Sequence, residues 1–127
     1  MSAPQNVGYK RKVVGAHYGT KDFLIQRITA CVMAVYTVVL AIGILIMPAF
    51  TYQNWVALFS FEVISFPLGK LLAFLAFLSL LYHAWIGIRD LWMDYVKPPG
   101  VRLLLHALTV LWLLACAAYT VQILWRI

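Results

Sequence analysis

Three long uncharged stretches constrain this chain of 127 residues more than any motif does. Between Arg27 and Pro48 lie 20 residues, Ile28 to Met47; between Lys70 and Arg89 lie 18; between Arg102 and Arg126 lie 23. A helix of about 20 apolar residues crosses the hydrocarbon of a bilayer. Inside lipid every backbone N–H and C=O must be satisfied within the segment or in a closed barrel, so stretches of this length read as helices. With 65% hydrophobic and 11% charged residues, the chain carries too little polar surface to cover a soluble domain of this size. The sequence therefore predicts an all-α membrane protein with three transmembrane helices, at about 28–47, 68–92 and 103–125. Residues 23–127 form the anchor domain and residues 1–22 a polar segment with glycines at 8, 15 and 19. Asp22 stands where it caps the first helix. Between the first two spans, Pro48, Tyr52, Trp55, Glu62, Pro67 and Lys70 mark an aromatic-rich interfacial connection. Its apolar patch, Val56 to Phe61, is too short to span and predicts a half-buried or surface helix.

The charges set orientation. Of the ten Lys and Arg residues, five lie at the N-terminal end (Lys10, Arg11, Lys12, Lys21, Arg27) and three between the second and third spans (Arg89, Lys97, Arg102). Lys70 and Arg126 stand alone at the other two ends. The positive-inside rule then places the N-terminus in the cytoplasm and the C-terminus in the periplasm. The net charge of +6 resides beside the spans, without the basic and aromatic interleaving of a nucleic-acid face, so the partner it implies is the lipid bilayer and no nucleic acid. Residues 1–22 hold no apolar core of signal-peptide length. Cys31 and Cys116 sit in apolar surroundings without CxxC or Cys/His spacing, which leaves iron-sulphur chemistry outside this chain. No internal repeat supports an inverted-repeat transporter.

The second span carries the chemistry. Its second half is interrupted only by His83, and it closes with Arg89, Asp90, Asp94, Tyr95 and Lys97 before Pro98-Pro99. An ionisable side chain at membrane depth is costly and marks a functional candidate, and neutral imidazole is a common ligand of haem iron. At 100° per residue, Gly69, Ala73, Ala76, Leu80, Gly87, Asp90 and Asp94 share roughly a third of the circumference with His83. Such a small-residue face admits either a flat macrocycle or a neighbouring backbone. Both readings stand at this level, because small residues in membrane helices also serve plain helix packing, and a histidine can serve as an interhelical hydrogen-bond donor. Arg27, at the entrance of the first span, either snorkels to the interface or turns inward to an anionic group. His106, near the start of the third span, is either a second ligand that would make the chain a self-contained cytochrome or an interfacial or packing residue, and its shallower position than His83 favours the latter.

His83-Ala84-Trp85-Ile86-Gly87, followed by Asp94-Tyr95-Val96-Lys97-Pro98, resembles the hydrophobic membrane anchor of bacterial succinate dehydrogenase (succinate:quinone oxidoreductase, complex II), the smaller of that enzyme's two membrane chains. Asp22-Phe23 with Arg27, the three spans and the overall length extend the resemblance over about residues 20–127. It implies a multi-pass chain of the bacterial inner membrane that takes part in electron transport and the tricarboxylic acid cycle without being an enzyme in isolation. The implied partners are a second haem-binding membrane chain of the cytochrome b556 type, an iron-sulphur subunit and a flavoprotein subunit. The implied cofactors are haem b, shared with that cytochrome chain, and ubiquinone as substrate. Carried over by position, His83 is an axial ligand of the haem iron and Arg27 lies near the haem propionates or the quinone. Tyr95 matches a tyrosine that hydrogen-bonds a quinone carbonyl, with Asp94 beside it. Lys21 departs from the histidine found before Asp22 in the enterobacterial relative, which weakens any proton-relay role there.

The residues are compatible with these roles, although taken alone Tyr95 reads as an aromatic-belt anchor and Asp94 as a solvated loop charge or a salt-bridge partner of Lys97. His83 stands 11 residues before Asp94, about 16 Å along a helix, which separates a deep iron from an interfacial quinone. Quinone reduction needs two protons, and Tyr95 and Asp94 offer hydroxyl and carboxyl near water. Two readings of other classes compete: a purely structural membrane anchor without haem ligation, and a small carrier using His83, Asp90 and Asp94 as a relay.

Overall fold

The computed structural model describes residues 16–127. Four helices follow one another: α1 (Ala16–Ile46), α2 (Tyr52–Ser60), α3 (Leu68–Tyr95) and α4 (Pro99–Arg126). Over Gly19–Ile46, Leu68–Tyr95 and Pro99–Arg126 they are long and apolar enough to cross a membrane. The all-helical architecture with three spans is as the sequence predicts, and α2 occupies the interfacial connection. Most of the polar segment expected over 1–22 lies outside the described residues. Where it is described it corrects the sequence reading: α1 is already helical at Ala16, so Asp22 is an interior residue and caps nothing. Neither Gly19 nor Thr20 stops the helix, and Asp22 finds a partner across the bundle instead.

The helix boundaries follow local chemistry. Thr51 caps α2, its hydroxyl accepting from the Asn54 N–H at 3.3 Å. Pro67 immediately precedes α3, and Pro98 precedes α4 with Pro99 as its first residue, where a missing N–H costs nothing. A proline also biases the residue before it away from helix, so Pro98 helps to end α3 at Tyr95. Between α2 and α3, Val63 and Phe66 exchange two backbone hydrogen bonds of 3.0 Å around Ile64 and Ser65. Both central residues have left-handed backbones, with φ of 52° and 61°.

The second span is the centre of the bundle. α3 packs against α1 on one side and α4 on the other, with α2 across its N-terminal end. Along one face of α3, Gly69, Ala73, Ala76, Leu80, His83, Gly87 and Asp90 recur at alternating steps of four and three. Asp22, Gln26, Thr29, Met33 and Tyr36 do the same on α1, the 3.5-residue period expected of helices packed side by side. At one end of the α1–α3 seam Arg89 pairs with Asp22. Near the N-terminal end of α3, against α2, Gly69 is buried so tightly that a Cβ there would lie 2.7 Å from the Phe59 carbonyl oxygen and 2.9 Å from the Phe61 nitrogen. Toward α4, the Phe74 and Trp125 rings meet edge to face at 6.3 Å, and Trp92 Nε1–H donates to Thr109 Oγ1 at 3.1 Å. Among the described residues only Ala76, Ile86 and Leu124 are buried apolar side chains, while Leu45 and Trp112 are 83% and 72% exposed. The core is a thin layer, and most of the apolar surface faces outward.

Candidate functional site

His83 occupies the middle of the α1–α3 seam. Its Nδ1 lies 3.1 Å from the hydroxyl of Thr29, which is 8% exposed, and its backbone carbonyl accepts from Gln26 Nε2 at 3.2 Å. The Thr29 hydroxyl also reaches the carbonyls of Ile25 and Gln26 on its own helix, at 2.8 and 3.2 Å. His83 Nε2 makes no hydrogen bond among the described residues. Gly87, one turn on, leaves room for the Gln26 amide, which passes 3.7 Å from where a Cβ would stand.

Beside this cluster runs a groove of about 590 Å³, whose wall includes Asp22, Phe23, Gln26, Arg27, His83 and Asp90. Arg27 is exposed at its edge, its guanidinium 5.1 Å from the centroid of the Phe23 ring. It has no ion pair among the described residues, so its charge is available to an incoming anion. Arg89 closes the end of the seam by bridging two carboxylates, Asp22 on α1 and Asp90 on its own helix, with Nη2 and Nε at 3.1 and 3.3 Å from Asp90. Its planar fork of donors is shaped for such carboxylate contacts, and the Asp22 arm ties α1 to α3 where the groove ends.

The structure thus brings His83 and Arg27 to one groove. Asp94 and Tyr95 lie elsewhere, in the last turn of α3 and about 16 Å from His83 along the helix. Both are exposed, Tyr95 by 81%, and neither has a hydrogen bond or ion pair among the described residues. His106 is on the opposite side of α3: its Nδ1–H donates to the Arg102 carbonyl at 2.7 Å and its ring meets Trp85 at 6.1 Å. A separate apolar cavity of about 440 Å³, lined by Tyr36, Trp55, Phe59, Ala76, Leu80 and Leu124, lies farther along the seam and does not include His83. The small-residue stripe is therefore divided. Gly69 serves close approach of α2, and the segment around His83 borders the open groove.

Gln26 and Thr29 escape the sequence reading, although a signal exists. Asp22, Gln26 and Thr29 are spaced by four and three, a polar stripe continuing into an apolar span. One face of α1 is thereby marked as turned away from lipid.

These features define a class: a multi-pass membrane protein with an intramembrane histidine bordering a groove between two of its spans. The profile of the succinate dehydrogenase/fumarate reductase transmembrane subunit matches residues 1–121, and the chain belongs to this family. Among its relatives is the succinate dehydrogenase hydrophobic membrane anchor subunit of Coxiella burnetii (strain RSA 493 / Nine Mile phase I). The two are 34% identical over 107 residues, 84% of this chain and 89% of that protein.

Proposed function

We propose that this chain is the membrane-anchor and electron-transfer subunit of a succinate dehydrogenase, helping to bind haem b and ubiquinone so that electrons from succinate reach the quinone pool. The observation that carries the reading is His83: its ring is held from the Nδ1 side by α1, and its Nε2 is unengaged beside a groove that also presents a free guanidinium. That donor set fits a haem. His83 would hold the iron through its neutral imidazole, and Arg27 would place a cation beside an acidic group of the macrocycle. No group of three or more His, Cys, Asp or Glu side chains able to hold a bare metal ion occurs among the described residues. A haem held by His83 would be shared with a second membrane chain, as the family resemblance implies. When bound, the haem supplies one-electron storage and transfer.

This chain's own residues do the rest. His83 would hold the iron, Arg27 would neutralise an acidic substituent at the edge of the groove, and the Arg89 bridge keeps α1 and α3 in register. At the end of α3, Tyr95 donates its phenolic hydrogen to a quinone carbonyl and Asp94 holds a proton beside it, both near bulk water. Their exposure is what a site completed by partner chains requires. The chain itself performs no flavin or iron-sulphur chemistry, which resides on the flavoprotein and iron-sulphur subunits. In this reading the membrane is the bacterial inner one, the N-terminus is cytoplasmic and the C-terminus periplasmic, an orientation that the distribution of Lys and Arg supports.

The bonds from Thr29 and Gln26 to His83 also support the competing reading of a purely structural anchor, because they pack helices with or without iron. A dithionite-reduced minus oxidised absorption spectrum of the purified complex separates the two. A b-type signal in the wild type that disappears in His83→Ala establishes ligation. An unchanged signal in the variant removes His83 from the iron, and no signal in either favours the structural anchor.

A further inference from the structure

Resting on the haem reading above, we infer that Thr29 is a positioning residue that fixes which nitrogen of His83 faces the groove and how strongly that nitrogen donates. A threonine hydroxyl has one hydrogen and can both donate and accept. At Thr29 that hydrogen is taken by the Ile25 carbonyl, the shortest of its contacts at 2.8 Å, with the Gln26 carbonyl at 3.2 Å on the same side. Carbonyls only accept. What remains for His83, at 3.1 Å, is a lone pair of the hydroxyl oxygen, so Nδ1 carries the ring hydrogen and donates it. Nε2 is then the nitrogen with the free lone pair, the form that ligates iron.

The same bond acts on the electronics of the ring. An acceptor on the distal N–H of a ligating imidazole fixes the ring's orientation and raises its basicity. A more basic ligand stabilises ferric over ferrous iron, so Thr29 holds the haem potential below the value it would have without the hydroxyl. The acceptor is reinforced by its setting. Thr29 is buried, which keeps water from replacing it, and Gln26 on the next turn holds the His83 backbone through its carbonyl.

Spectroelectrochemical titration of the haem in the purified complex tests this by comparing the wild type with a set of variants. Thr29→Val keeps the shape of the side chain and removes the acceptor. It is expected to retain the b-type spectrum while its oxidised-to-reduced ratio at fixed potential falls roughly tenfold, an upward shift of about 59 mV for a one-electron couple. Thr29→Ser restores the hydroxyl and is expected to titrate as wild type. Thr109→Val removes a hydroxyl from the α4 side of α3, where Trp92 uses it, and is expected to leave the potential unchanged. Should the valine variant not assemble, Thr29→Ala carries the same expectation. A potential in both Thr29→Val and Thr29→Ala equal to wild type overturns the inference while leaving haem ligation intact. Haem retained in His83→Ala removes the ligand itself, and with it both the functional reading and this one.

Discussion

Two single side chains permit sharp tests beyond His83. Tyr95→Phe removes a hydroxyl at an exposed helix end and nothing else. Succinate-driven quinone reduction is expected to fall about tenfold, the equivalent of one hydrogen bond, with the reduced-minus-oxidised haem spectrum unchanged. Equal turnover in both proteins would return Tyr95 to the aromatic belt. Ile64 makes a different kind of prediction. A β-branched residue at φ 52° sits in a region that costs such residues about 1–3 kcal/mol, and Ile64 is 97% exposed, so no burial within this chain offsets the strain. Ile64→Gly is expected to raise the midpoint of thermal unfolding in detergent; a lower midpoint would show that the isoleucine side chain is held by lipid or a partner. At this scale the sequence was partly legible. An ionisable group in an apolar helix announces itself, which is why His83 and Arg27 stand out. Thr29 does not, because a threonine in a membrane helix ordinarily bonds the carbonyl four residues back, as this one also does. Only the cross-helix geometry reveals its second bond.

Helices were legible in number and position, less so in extent. Uncharged length locates α1, α3 and α4, and the prolines at 67, 98 and 99 locate the ends of the latter two. Asp22 was misplaced because local sequence cannot distinguish a cap from a carboxylate whose partner is 67 residues away. Gly69 on α3 and Gly43 on α1, both facing α2, separate close packing from spare room. At Gly69 an added methyl meets backbone at 2.7 and 2.9 Å, whereas at Gly43 it meets the end of the Leu58 side chain at 2.8 Å, which can rotate away. Gly69→Ala is therefore expected to destabilise the bundle by about 1–3 kcal/mol, and Gly43→Ala by well under half as much. Denaturation of the two variants in matched detergent checks the order; equal losses would mean that the α2–α3 corner yields more readily than its backbone contacts imply.

As a whole, the chain is three spans in a layer around α3 with almost nothing inside. Among the described residues three apolar side chains are buried, while Val35, Leu45, Leu103, Leu111 and Trp112 are each more than 60% exposed. Lipid covers such a surface well, so exposure by itself marks no interface. The groups proposed above do: His83, Arg27, Tyr95 and Asp94, of which Arg27, Tyr95 and Asp94 have no ion pair or side-chain hydrogen bond among the described residues. Purified without its membrane partner, this chain is expected to bind haem at least tenfold more weakly than the complex does, measured by absorbance titration. Equal affinity would place the second ligand within this chain. What no reading of one chain makes legible is the other half of each site.

The seam between α1 and α3 also has a consequence in time. Gln26 donates to a carbonyl 57 residues further along the chain, with α2 and half of α3 between them. At a synthesis rate of about 5–20 residues per second, α1 waits roughly 3–11 s in the bilayer before that acceptor exists. The turn from α3 to α4, by contrast, is a few residues long, so those two helices can enter as a hairpin. The polar face of α1 is thus made well before the helix that covers it.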